Sequence, residues 1–171
     1  MNNICLIGYM GSGKTTVGKL LAGELSLELK DTDAMIVSEQ GRKIPNIFKE
    51  EGEPYFRDLE HKLLLKLYES GLKDTVLSTG GGLPMAESNR PLLKKIGTVI
   101  YLKGSPECLY ERVRDDKGRP LLDTDDRLAR IRDMLKVRGP VYEDVADHII
   151  ETDDLSPDQV VKAIVNILKS S

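Results

Sequence analysis

No apolar run in the chain exceeds a few residues, Ile4 to Ile7 being typical. Neither a bilayer-spanning helix nor a secretory h-region is therefore expected, and the sequence reads as soluble and cytoplasmic. Cysteine is scarce: Cys5 and Cys108 give no disulfide framework and no zinc-caging spacing, and both read as reduced thiols in packing roles. The two histidines, His61 and His148, lack partners at metal-ligand spacing and read as structural. Charge of one sign is also missing. Twenty-five basic against 28 acidic residues leave a net charge of −3, which argues against a general binder of nucleic acid or anionic membrane. Any anionic ligand must then be held by local charge. Internal repeats, low-complexity tracts and interdomain linkers are not found either.

What is present is an ordinary globular composition, 40% hydrophobic and 31% charged over 171 residues, which fits one domain spanning 1–171. Asn3 to Gly8 is a short apolar run closed by a turn residue and reads as a buried parallel strand. In the helix that follows, Val17, Leu20, Leu21 and Leu25 form one stripe. Leu27 to Lys30 reads as a weak second strand and Thr32 to Gln40 as a short helix ended by Gly41. A longer helix from about Glu53 to Glu69 buries Phe56, Leu59, Leu63, Leu64 and Leu67. Thr75 to Ser78 and Thr98 to Leu102 read as strands flanking a helix from Met85 to Lys95. Pro106 to Val113 and Arg127 to Val145 have helical spacing, and His148 to Ile150 reads as a fifth strand. Ser156-Pro157-Asp158-Gln159 announces the last helix with an N-cap, a first-turn proline and a capping-box partner. Strands alternating with helices imply a three-layer α/β domain around a five-stranded parallel sheet.

Gly8-Tyr9-Met10-Gly11-Ser12-Gly13-Lys14-Thr15 matches G-x-x-x-x-G-K-[ST] between a strand and a helix, the context a phosphate-binding loop requires. Glycines such as Gly11 and Gly13 let successive N–H groups, that of Ser12 among them, face one point, and the helix adds its positive end. Lys14 supplies a mobile charge for the β- and γ-phosphates, the Thr15 hydroxyl a ligand for Mg²⁺, and Thr16 a contact to the α-phosphate.

The loop implies a nucleotide without naming a reaction. Asp31-Thr32-Asp33 follows the second strand, at the sheet edge where ligands of open α/β sheets collect. Asp31 is placed to orient water on Mg²⁺ and Asp33 to accept a hydrogen bond from an attacking hydroxyl; helix capping by Asp31 or Thr32 is the alternative. Arg57 and Glu60, three residues apart, fall on a helix face turned away from the Phe56/Leu59 stripe, and spacing alone favours a solvated surface pair. Gly80-Gly81-Gly82 follows the third strand and lets backbone approach a ligand closely. Residues 112–138 hold nine basic and six acidic side chains. An irregular basic segment around Arg119, followed by a helix ending near Arg138-Gly139-Pro140, suits a lid over phosphates at about 113–126.

Together these motifs resemble the shikimate kinase family over nearly the whole chain: the loop from Gly8 to Thr16, Asp31-Thr32-Asp33, Phe56-Arg57-x-x-Glu60, Ser78-Thr79-Gly80-Gly81-Gly82, Arg119-Pro120-Leu121-Leu122 and Arg138-x-Pro140-x-Tyr142. The resemblance implies a P-loop fold with strand order 2-3-1-4-5, and transfer of the γ-phosphoryl of ATP to the 3-hydroxyl of shikimate with Mg²⁺. It implies a monomer, with no nucleic-acid or membrane partner. It further implies that Asp33 binds the shikimate hydroxyls, that Arg57 and Arg138 clamp its carboxylate, that Gly81 contacts the ring hydroxyls through its backbone with Gly80 also at the substrate, and that a helical region at about 32–61 binds substrate. Arg119 is implied to stabilise charge on the transferring group, and Arg112 to lie against adenine. The chain departs from some relatives before the last helix, where Asp153-Asp154-Leu155 replaces a basic residue. The competing readings are a P-loop kinase for gluconate or a nucleoside monophosphate, and a non-catalytic nucleotide switch.

Overall fold

The computed structural model describes residues 2–114 and 126–171. Five strands form one parallel sheet: β1 (Asn3–Ile7), β2 (Glu28–Asp31), β3 (Thr75–Ser78), β4 (Gly97–Lys103) and β5 (His148–Glu151), in the order β2-β3-β1-β4-β5. The central strand pairs Cys5 with Leu77 on one side and with Val99 on the other. Alternation along the strands sends their side chains to two separate cores. Cys5, Ile7, Leu77, Val99 and Tyr101 face one, while Ile4, Leu6, Val76, Ile100 and Leu102 face the other.

The second core is capped by α1 (Lys14–Leu25) and α8 (Pro157–Lys169), through Val17, Leu21, Ala22, Val160, Val161 and Ile164. The first lies under α2 (Thr32–Gln40), α3 (Ile44–Glu51), α4 (Glu53–Glu69), α5 (Asn89–Ile96), α6 (Pro106–Val113) and α7 (Arg127–Val145). Parallel strands joined by crossovers leave helices on both faces of the sheet, as the strand–helix alternation requires. The capping box of α8 forms as the sequence predicts: Gln159 N donates to Ser156 Oγ at 3.2 Å, and Ser156 N donates to Gln159 Oε1 at 2.8 Å.

Four local features differ from the sequence reading. Leu20 is exposed, because the buried side of α1 is set by Val17, Gly18, Leu21 and Ala22. Residues 41–52, for which the sequence reading assigns no separate element, hold α3, whose Ile47 is buried and whose Phe48 ring lies 5.0 Å from that of Phe56. In place of one helix over 85–95, a single 3-10 turn (Leu83–Met85) precedes α5, where Pro91 falls in the first turn and needs no N–H partner. The helix after Arg127 runs to Val145, the bounds its apolar spacing predicts, and so passes through Pro140 rather than ending near it. Proline there removes one helical donor, yet neighbouring Tyr142 and Val145 are buried and hold the helix against the sheet. The lid assignment at about 113–126 falls, from 115 to 125, outside the described residues, as do Arg119 and Pro120-Leu121-Leu122.

Cys5 is buried, with its thiol pushed up to about 12 by burial, which leaves it an inert packing group. His61 Nδ1 lies 2.7 Å from Asn89 Oδ1, tying α4 to α5. Among the described residues no helix is long and apolar enough to cross a membrane.

Candidate active site

The carboxyl ends of β1, β2 and β3 open into a cleft of about 410 Å³. The loop between β1 and α1 forms one wall. Gly11 and Gly13 there take φ of 80° and 93°, left-handed conformations that side-chain-bearing residues rarely adopt, so the loop curls with Gly13 as the N-cap of α1. Lys14 Nζ donates to the Gly8 carbonyl at 2.6 Å, the Tyr9 carbonyl at 3.1 Å and Ser12 Oγ at 3.4 Å, which puts its charge at the centre of the loop. Thr15 and Thr16 are exposed toward the same cleft. Arg112 reaches across from α6, donating to the Gly11 carbonyl at 3.0 Å and the Thr152 carbonyl at 3.5 Å.

The end of β2 contributes the acidic pair. Asp31 caps α2, its Oδ1 accepting from Ala34 N at 3.0 Å, while its Oδ2 lies 3.5 Å from Thr15 Oγ1. Thr32 is fully buried and its hydroxyl accepts from Gly80 N at 3.0 Å, tying the glycine turn to the start of α2. Asp33 stands one residue further along, directly against Gly80. A Cβ added to Gly80 would lie 2.6 Å from Asp33 Oδ1 and 2.9 Å from Glu60 Oε2.

The surface-pair reading of Arg57 and Glu60 is corrected here. Glu60 is 1% exposed, and its Oε1 accepts from Arg57 Nη1 at 2.7 Å. The helix α4 has two buried faces, because its polar side abuts the glycine turn as its apolar side abuts the core. Burial raises the Glu60 carboxyl to about 7; Arg57 opposes the rise, Asp33 adds to it, and Arg138 opposes it again. Glu60 Oε2 is buried and makes no hydrogen bond among the described residues. Sequence reasoning paired Glu60 with Arg57 but gave it no place in the cleft; the glycine run, which admits carboxylates only because it carries no side chains, was the available signal.

Arg138 comes from α7 on the opposite side. It is 7% exposed, its guanidinium lies 5.7 Å from the centre of the Tyr9 ring, and its Nη1 is buried without a hydrogen bond among the described residues. A Cβ on Gly81 would be 3.5 Å from that Nη1, and one on Gly82 would collide with the Arg57 guanidinium. Two guanidiniums from helices far apart in sequence therefore converge on one glycine turn. Planar forks in a partly dry cleft suit a carboxylate. The cleft thus brings the β1–α1 loop and Asp33 together with the two guanidiniums. Of the residues expected here, Gly11, Gly13, Lys14, Thr15, Thr16, Asp31, Asp33, Arg57, Gly80, Gly81, Arg112 and Arg138 line it. Ser12 is buried within the loop and does not line the cleft.

The family model for shikimate kinase matches residues 10–169. The chain belongs to the shikimate kinase family. A shikimate kinase of Pseudomonas putida is 45% identical over 169 residues, covering 99% of this chain and 97% of its own. One from Caldicellulosiruptor saccharolyticus is 41% identical over 167 residues, covering 98% and 95%. The solved structure of the Acinetobacter baumannii shikimate kinase in complex with shikimate superposes with a TM-score of 0.95 at 40% identity, covering 99% of this chain and 94% of that one. That of the Aquifex aeolicus shikimate kinase gives 0.84 at 38% identity, covering 98% and 96%. As in other shikimate kinases, the five-stranded sheet follows the order 2-3-1-4-5.

Proposed function

We propose that the protein transfers the γ-phosphoryl group of ATP to the 3-hydroxyl of shikimate, giving shikimate 3-phosphate and ADP. The observation that carries this reading is the convergence of Arg57 and Arg138 on the glycine turn, beside Asp33 and within one cleft of the phosphate loop. A carboxylated polyol held by the two guanidiniums presents its hydroxyls to Asp33.

Phosphoryl transfer passes through a loose transition state, so the protein's part is alignment and charge stabilisation. The loop N–H groups and Lys14 hold the β- and γ-phosphates. Asp33 accepts a hydrogen bond from the attacking hydroxyl and aims its oxygen along the line of transfer. Thr15 and Asp31, a hydroxyl and a carboxylate 3.5 Å apart, are hard oxygen donors that would hold Mg²⁺, Asp31 by orienting its water. Bound there, the ion neutralises phosphate charge. Arg112 is assigned to the adenine, and Arg119, which lies outside the described residues, to the transferring group from a lid at about 113–126. The working unit is read as a monomer on family resemblance, and the use of ATP supports a cytoplasmic enzyme.

ADP release with ATP, Mg²⁺ and shikimate, gluconate, AMP or CMP offered separately tests the reading. Release with shikimate alone is expected. Release only with another acceptor, or ATP binding without transfer to any of the four, overturns it.

A further inference from the structure

We infer that Tyr142 is a positioning residue, which holds the Gly81–Gly82 peptide with its N–H turned toward the acceptor between Arg57 and Arg138. The inference rests on the proposed binding of shikimate at this end of the cleft and assigns a task to a side chain that does not itself line it.

All three carbonyls of the glycine turn are tied down on the protein side. The Gly80 carbonyl accepts from Leu83 N at 3.1 Å and the Gly82 carbonyl from Met85 N at 3.0 Å, both within the turn. The Gly81 carbonyl accepts from the Tyr142 hydroxyl, 61 residues away on α7. No peptide here is cis, so each N–H points opposite to the carbonyl of its own peptide. Locking the carbonyls of Gly80 and Gly81 therefore turns the N–H groups of Gly81 and Gly82 the other way. Both residues line the cleft, neither N–H has a partner among the described residues, and the two guanidiniums flank them. An anion held by Arg57 and Arg138 receives these donors as well.

The Tyr142 bond is the only one of the three made by a side chain, and it holds a peptide that lies between two glycines. A peptide between two glycines meets little steric resistance to rotation. A reversed Gly81–Gly82 peptide would present a carbonyl oxygen to Arg57 and Arg138, in competition with a carboxylate. Tyr142 is well suited to prevent this. Its side chain is fully buried, its ring packs 5.0 Å from that of Tyr101, and burial holds the phenol far above its usual ionisation range, Arg138 only partly opposing, so the hydroxyl remains a donor. Arg138 and Tyr142 are four residues apart on one face of α7, so the helix that delivers the guanidinium also sets the peptide beside it.

The test is Tyr142→Phe, which removes one hydroxyl and keeps the ring. Shikimate KM should rise about five- to tenfold, as for a lost neutral hydrogen bond, with ATP KM unchanged. Affinity for the uncharged methyl ester of shikimate should fall less than that for shikimate, a split that a general loosening of the fold would not produce. In the wild type, the Gly82 amide proton should move downfield in NMR spectra on adding shikimate and not on adding ATP. An unchanged shikimate KM, an equal rise in both KM values, or a Gly82 amide indifferent to shikimate overturns the assignment. If the wild type fails to phosphorylate shikimate, the proposed function falls and this inference with it; turnover by the wild type with any of those three results removes the inference alone.

Discussion

Replacing Glu60 by Gln should change the way stability depends on pH. In the unfolded chain this carboxyl ionises near its ordinary value of 4.5, whereas in the folded protein it keeps its proton up to about 7. Between these values the folded state binds more protons than the unfolded one, so stability falls as pH rises through the window and levels off above it. Integrating the two titrations gives a loss of about 2–3 kcal/mol between pH 5 and pH 8 that belongs to Glu60. The E60Q variant carries a neutral amide throughout and lacks this term. Its stability relative to wild type should therefore improve by about 2–3 kcal/mol over that range, on top of any fixed offset from the altered bond to Arg57. Urea unfolding of both proteins at pH 5, 6, 7 and 8 measures it, with the slope in denaturant checked for constancy. A difference that stays flat from pH 5 to pH 8 would show that the folded carboxyl titrates normally, and would refute the argument that burial against Gly80 outweighs the attraction of Arg57 and Arg138.

Lys14→Met should abolish turnover, by at least about a hundredfold, while leaving the circular dichroism spectrum and thermal midpoint close to wild type; retained activity would contradict the loop assignment. Arg57→Lys keeps the charge but loses the fork, and should raise shikimate KM by an amount worth about 1.5–3 kcal/mol, with ATP KM unaltered in the same initial-rate series. Gly82→Ala presses a methyl group on the end of a flexible arginine, so steady-state kinetics should show a raised shikimate KM while the melting temperature moves little. Ser156→Ala removes the cap of α8 and should cost about 1 kcal/mol in urea unfolding with shikimate KM unchanged.

Much of the fold was legible because its signals are local. A four-residue apolar run between a polar residue and Gly8 marks β1, and Ser156 with Gln159 marks the start of α8. The short apolar group Ile44, Ile47 and Phe48, with Pro45 in the first turn, carries the same kind of signal for α3, but only eight residues long and beside a turn glycine. The phosphate loop and Asp31 to Asp33 were legible because motif and sheet edge coincide. Glu60 was not, because periodicity reports an apolar face and is silent about a second face buried in polar surroundings. Tyr142 was hidden for another reason. Its ring reads as one more core residue, and its role depends on a carbonyl 61 positions away that no spacing rule connects to it.

The central claim is that a triphosphate and a carboxylated acceptor lie side by side at the carboxyl ends of β1, β2 and β3. A crystal structure with shikimate and a non-hydrolysable ATP analogue tests it most directly. The account predicts the carboxylate between Arg57 and Arg138, a ring hydroxyl within hydrogen-bond reach of Asp33, and the γ-phosphate beside Lys14. Shikimate bound away from both arginines, or with its hydroxyls turned from Asp33, would contradict it.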